Sequence, residues 1–114
     1  MKLPNGNRAD LGNKIEDYSL NFGHREGRHK ARVFLSALGI SLENADMLRS
    51  AVLAVAAASD DVEARGANGF GNVFVLRFPM QTAMQTATGS AVVLTVWIIR
   101  HGEDFPRLAN CYIV

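Results

Sequence analysis

At about residue 72 the apolar residues of this chain change their period, and that change limits the folds open to it. Before it, Ala31, Phe34, Leu35 and Leu38 recur at the spacing of one helix face, and Ala45, Leu48, Val52, Val55 and Ala56 do the same over a second stretch. After it, Phe74, Leu76 and Phe78 alternate with Val73, Val75 and Arg77, and residues 91–100 and 107–114 are rich in β-branched and aromatic side chains. A stripe written at one period cannot bury itself at the other, so the order is helices first and strands after. Short connections between the strands require antiparallel pairing. The expected architecture is α+β, with N-terminal helices packed on a three- to four-stranded antiparallel sheet.

The 114 residues suit a single domain, 1–114, that buries roughly two thirds of its unfolded surface without disulfide or metal. Residues 13–20 predict a short helix with Asn13 as N-cap and with Ile15, Tyr18 and Leu20 turned inward. Residues 28–38 predict the clearest helix, ended by Gly39, and Ser41 is placed to cap the next one. The run from Ala51 to Ala58 is so apolar that this second helix is expected to be well buried. Asn5-Gly6 reads as a two-residue hairpin turn opening the chain with a short ribbon. Residues 60–71 read as a loop or irregular edge strand, Pro79 ends the first regular strand, and residues 80–89 could extend two strands into a long hairpin.

Charge excludes little globally, because 12 basic and 11 acidic residues leave a net charge of +1. Its distribution says more: His24, Arg25, Arg28, His29, Lys30 and Arg32 fall close together against one acid, Glu26. Cys111, the one cysteine, stands in an apolar strand pattern and reads as a buried hydrophobe in a reducing compartment. No apolar stretch follows Lys2 as in a signal peptide, and none is long enough for a bilayer. A cytoplasmic chain without membrane contact is the expectation.

Two constellations carry candidate chemistry. In the first, Gly27-Arg28-His29-Lys30, helical phase turns His29 to solvent with Arg28 and Lys30 at either edge of the buried face. Cations at a helix start oppose the macrodipole, which suggests another purpose: anion binding beside an imidazole able to exchange a proton. The plain alternative is a solvated helix end. In the second, symmetric pairing about residues 101–106 sets Arg100 opposite Arg107, a like-charge pair that needs neutralising by Glu103, Asp104 or an anionic ligand. An Arg–carboxylate network that pins the turn is the competing account. His24 and His101 are weaker candidates, Trp97 reads as core, and neither a metal-ligand set nor a serine or cysteine nucleophile can be proposed.

The stretches 21–34, with His24, Gly27, His29 and Lys30, and 95–108, with Trp97, Arg100, Glu103, Asp104 and Arg107, resemble an uncharacterised family of small bacterial domains. Its first motif reads Asn-Pro-x-His-Pro-x-Gly-Lys/Arg-His-Lys-Ala, and Phe22 and Arg25 replace the prolines here. Such domains are more distantly similar to the Barnase–EndoU–colicin–RelE ribonuclease toxins. That resemblance implies metal-independent RNA cleavage by acid/base chemistry with no cofactor. His29, Lys30 and Arg100 would be the catalytic residues, and Arg28, His24 and Arg107 would bind substrate. It also implies RNA as substrate and a cognate antitoxin or immunity protein as partner; apart from the resemblance, a homodimer is a further possible assembly. The rival expectations are a non-catalytic interaction module, itself of antitoxin or immunity type, and a nucleic-acid binder without cleavage.

Overall fold

The computed structural model describes residues 1–81 and 90–114 and has the α+β architecture. Helices α1 (Arg28–Leu38) and α2 (Ala45–Ala58) precede a four-stranded antiparallel sheet of β1 (Glu63–Ala67), β2 (Gly71–Gln81), β3 (Ser90–Arg100) and β4 (Arg107–Ile113). The strands lie side by side in chain order. Of residues 80–89, Met80 and Gln81 continue β2; the stretch 82–89 lies outside the described residues.

The core forms where the helices meet one sheet face. Ile15, Leu20, Phe34, Leu38, Leu48 and Val52 pack with Phe74, Leu76, Val93 and Trp97. Trp97 is fully buried, and its indole N–H donates to Thr95 Oγ1 at 2.8 Å while that hydroxyl donates to the Leu76 carbonyl at 2.9 Å. Each polar atom taken from water is thus matched within the sheet. Gly39 ends α1 in the left-handed conformation, φ 69°, with its N–H donating to Leu35 O. Before α2, Asn44 Oδ1 accepts from the Ser41 N–H at 2.7 Å, so the cap acts through a short 3-10 turn over Leu42–Asn44.

Six expectations need correction. Asn5-Gly6 opens no ribbon: Asn5 is left-handed, φ 51°, and leads into a 3-10 turn over Gly6–Arg8. The preceding residues bond elsewhere, with Val62 N–H donating to Met1 O. Residues 15–19 form a wide π-type turn in which Ile15 and Ser19 are buried and Tyr18 is half-exposed. Leu35 belongs to the outer side of α1, 45% exposed, because Ala31, Phe34 and Leu38 already fill the seam. Helix α2 is not buried all round: Ala45, Leu48, Val52 and Ala56 face inward, whereas Leu53, Ala54, Ala57 and Ala58 are exposed. Alanine's small side chain lets such a run sit at the surface at little cost.

The other two corrections concern the sheet. Pro79 does not end β2 but pairs with Val92 within it. It lies beyond Val75, the last β2 residue shown paired to β1, where one side of the strand is an edge and a missing N–H is tolerated. Arg100 and Arg107 do not face each other either. A register shift between Val96 and Trp97 places Arg107 opposite Ile98, and Arg100 pairs with Gly71 on the other side. The offset removes the like-charge pair that symmetric pairing would have made.

A candidate anion-binding cleft

The segment that leads into the 15–19 turn, the turn itself, the loop before α1 and the ends of β3 and β4 converge on a cleft of about 390 Å3. Its walls are residues 10–14, Asp17, Tyr18 and His24 on one side and Arg100, Arg107 and Leu108 on the other. That size is ordinary for a small-molecule site. Two bonds sew the walls together, with Asp10 N–H donating to Pro106 O and Leu108 N–H to Asp10 O, both at 2.9 Å.

His24 is fixed by its own backbone. Its Nδ1 accepts from the N–H groups of Glu26 (3.1 Å) and Gly27 (2.9 Å), and its carbonyl accepts from Arg28 N–H. The ring therefore does for α1 what an N-cap side chain does, satisfying donors that the helix leaves open. An Nδ1 used as acceptor assigns the ring proton to Nε2, which makes no hydrogen bond to the protein among the described residues. Tyr18 meets the imidazole edge-on with ring centroids 4.7 Å apart. Gly27 is buried directly over the Tyr18 carbonyl, where a Cβ would collide, so only glycine lets α1 start this close to the 15–19 turn.

Lys30 also converges on Tyr18. Its ammonium donates to the phenol oxygen at 2.9 Å and lies 4.4 Å from that ring's centroid, with the Tyr112 ring at 5.4 Å. The phenol oxygen accepts, which leaves its own O–H to donate.

The cations of the cleft are not equivalent. Arg107 is neutralised: Nε and Nη2 donate to the two oxygens of Glu103 at 2.9 and 2.8 Å, and Nη1 donates to Asp10 at 3.1 Å. These bonds hold the Glu103 carboxyl below the usual carboxylate range, chiefly through the Arg107 hydrogen bond, and raise Arg107 above its ordinary value. The expected network that pins the turn thus exists around Arg107. Asp104 pairs instead with Arg8 at 2.7 Å. Arg100 and Lys14 make no ion pair among the described residues and line the cleft, Arg100 near enough to Glu103 to help hold that carboxyl low.

Of the residues singled out in the sequence, His24, Arg100 and Arg107 line the cleft, and Lys30 reaches it through Tyr18. Arg28 and His29 are exposed on α1 and do not belong to its wall. Sequence reasoning missed Lys14, Asp17 and Tyr18. Their spacing of three and four residues was the signal that one face of a turn would carry them together. Among the described residues no three His, Cys, Asp or Glu side chains are grouped to hold a metal ion, and no helix is long and apolar enough to cross a membrane.

The model of one family, a domain of unknown function designated DUF6883, matches residues 2–114. The chain belongs to this family. The match spans essentially the whole sequence, so both halves of the cleft lie inside the family's domain. No curated protein and no solved structure matches the chain.

Proposed function

We propose that the chain is a metal-independent ribonuclease of toxin type, working in the cytoplasm and held in check by a cognate antitoxin or immunity protein. The observation that carries this reading is the meeting, in one cleft, of two cations that make no ion pair among the described residues, Lys14 and Arg100, with a carboxylate, a phenol and an imidazole, Asp17, Tyr18 and His24. That is the set which cleavage of a phosphodiester by a neighbouring hydroxyl needs. In this scheme Asp17 takes the proton of the ribose 2′-OH, whose oxygen attacks phosphorus. The bond to the 5′-oxygen breaks, and Tyr18 supplies that oxygen's proton. The products are a 2′,3′-cyclic phosphate and a 5′-hydroxyl. Lys30 stands beside the phenol oxygen as it gives up its proton. Arg100, Lys14 and the Nε2–H of His24 receive the charge that grows on the phosphoryl oxygens. Arg107, tied to Glu103 and Asp10, holds the wall and offers at most a secondary phosphate contact.

The acid/base part expected of His29 passes to Tyr18 and Asp17 in this scheme, and paired variants decide between them. Purified protein is incubated with a fluorophore–quencher oligoribonucleotide in EDTA, and wild type is compared with Tyr18→Phe, His29→Ala and Arg100→Ala. The scheme expects cleavage by wild type, losses of about 100-fold or more for Tyr18→Phe and Arg100→Ala, and little change for His29→Ala. A large loss for His29→Ala returns the role to that imidazole. If wild type leaves RNA intact both in this assay and when expressed in bacteria without a growth defect, the ribonuclease reading fails.

One observation favours the second reading, a non-catalytic interaction module. The outer side of α1 shows Val33 and Leu35, 42% and 45% exposed, among Arg28, His29 and Arg32. A mixed apolar and basic helix face suits an acidic protein surface. A wild type that is inert toward RNA, and whose binding to a purified acidic partner falls on Leu35→Glu, would establish it.

A further inference from the structure

We infer that the cleft continues into a groove for single-stranded RNA, in which Phe70 is the platform on which one nucleobase stacks. The inference rests on the ribonuclease reading and specifies its substrate as an unpaired strand. A second concavity, lined by Phe70, Ile98, His101 and Ala109 among others, shares Lys14, Arg100, Arg107 and Leu108 with the first. The two are one surface with Lys14 and Arg100, which make no ion pair among the described residues, at the join, so a phosphate held there would have neighbours extending both ways.

Phe70 is the most exposed large apolar side chain described, at 74%. A lone exposed hydrophobe is common, but the backbone of this one is held in place. Its N–H donates to Asn68 Oδ1 at 2.8 Å, and its carbonyl accepts from His101 N–H at 3.0 Å. The next residue, Gly71, lies so close to the Ile99 carbonyl that a Cβ would collide. The backbone that presents this ring is therefore fixed to both the β1–β2 turn and the β3–β4 turn, and ordering it on binding costs little. An aromatic face on a fixed backbone beside a cationic groove is the pairing by which proteins hold unpaired bases, because every base has a face to stack while the nucleic-acid backbone is held by charge. A duplex buries those faces and gains nothing from Phe70.

The test uses a 5′-fluorescein 2′-O-methyl hexaribonucleotide, which lacks the attacking hydroxyl and so reports binding apart from cleavage. Anisotropy titrations compare wild type, Phe70→Ala, Phe70→Trp and Arg100→Ala on the single strand and on its blunt duplex. The expectation is that Phe70→Ala binds the single strand about tenfold more weakly, that Phe70→Trp binds as wild type or tighter, and that the duplex is weak and indifferent to position 70. Equal binding by Phe70→Ala and wild type, with Arg100→Ala weakened, overturns the stacking role and leaves the ribonuclease reading standing. Equal affinity of wild type for strand and duplex also overturns it. If wild type binds neither, both fall together.

Discussion

Arg107 grips Glu103 through two parallel hydrogen bonds, of 2.9 and 2.8 Å, and this fork fixes the acid side of the turn that joins β3 to β4. Because the bonds hold the Glu103 carboxyl below its ordinary range, the contribution of the fork has a definite sign with pH. A group whose folded value is depressed stabilises fully above its unfolded value, and that contribution is lost as pH falls through the folded one. We expect wild type to lose melting temperature between about pH 5 and pH 3 more steeply than Glu103→Gln, which starts lower and has less to lose. Parallel curves would remove Glu103 from the acid response.

Cys111 supplies a second expectation. Burial alone, with no exposed surface, pushes its thiol up to about 12. The thiolate is the reactive form, so iodoacetamide at pH 8 should leave the folded protein unmodified over hours and label it promptly in urea. Mass spectrometry reads the outcome, and rapid labelling without denaturant would contradict the packing. Since the folded thiol is raised, its share of stability is present below about pH 8.5 and declines as pH rises further.

Thr95 tests the polar chain inside the sheet. Thr95→Val keeps shape but removes the acceptor of the buried Trp97 N–H. Leaving that donor unmatched should cost about 1 to 3 kcal/mol in urea unfolding, without changing the surface exposed. A change under about 0.5 kcal/mol would mean that the indole finds another acceptor.

His24 joins two roles that substitution can separate. Its Nδ1 accepts from the N–H groups two and three residues on, the same pattern in which Asn68 Oδ1 accepts from Phe70 and Gly71. Asparagine is therefore a fitting replacement for the capping role alone. We expect His24→Ala to lose about 1 kcal/mol of stability and His24→Asn to recover most of it, and the ribonuclease proposal further expects both to cleave RNA more slowly than wild type. Chemical denaturation and the EDTA cleavage assay read the two roles. Full activity in His24→Asn would reduce the ring to a cap.

The legible and illegible parts of this fold divide on physical grounds. Helix α1 could be read because Phe34 and Leu38 obey a local period and Gly39 stops it in the conformation glycine favours. The strands could be read for the same local reason. The Arg100–Arg107 offset could not, because a register shift at Val96/Trp97 depends on how Trp97 and Leu108 fill the core, which no period records. The cleft was half visible. The sequence drew attention to cations near Gly27 and near the β3–β4 turn, and His24, Arg100 and Arg107 do meet. Lys14, Asp17 and Tyr18 escaped notice because a wide π-type turn rotates Tyr18 partly outward where a regular helix would have turned it in.

The stitching of Asp10 to Pro106 and Leu108 also has a consequence in time. During synthesis the chain leaves the ribosome from its N-terminus, and domains fold as their parts emerge. Residues 10–24, one wall of the cleft, emerge early, yet the opposing wall at 100–108 arrives only with the last strand. A chain made only through residue 99 cannot hold both walls. Whatever the cleft binds, it cannot bind it before residues 100–108 have been made and have met the earlier wall.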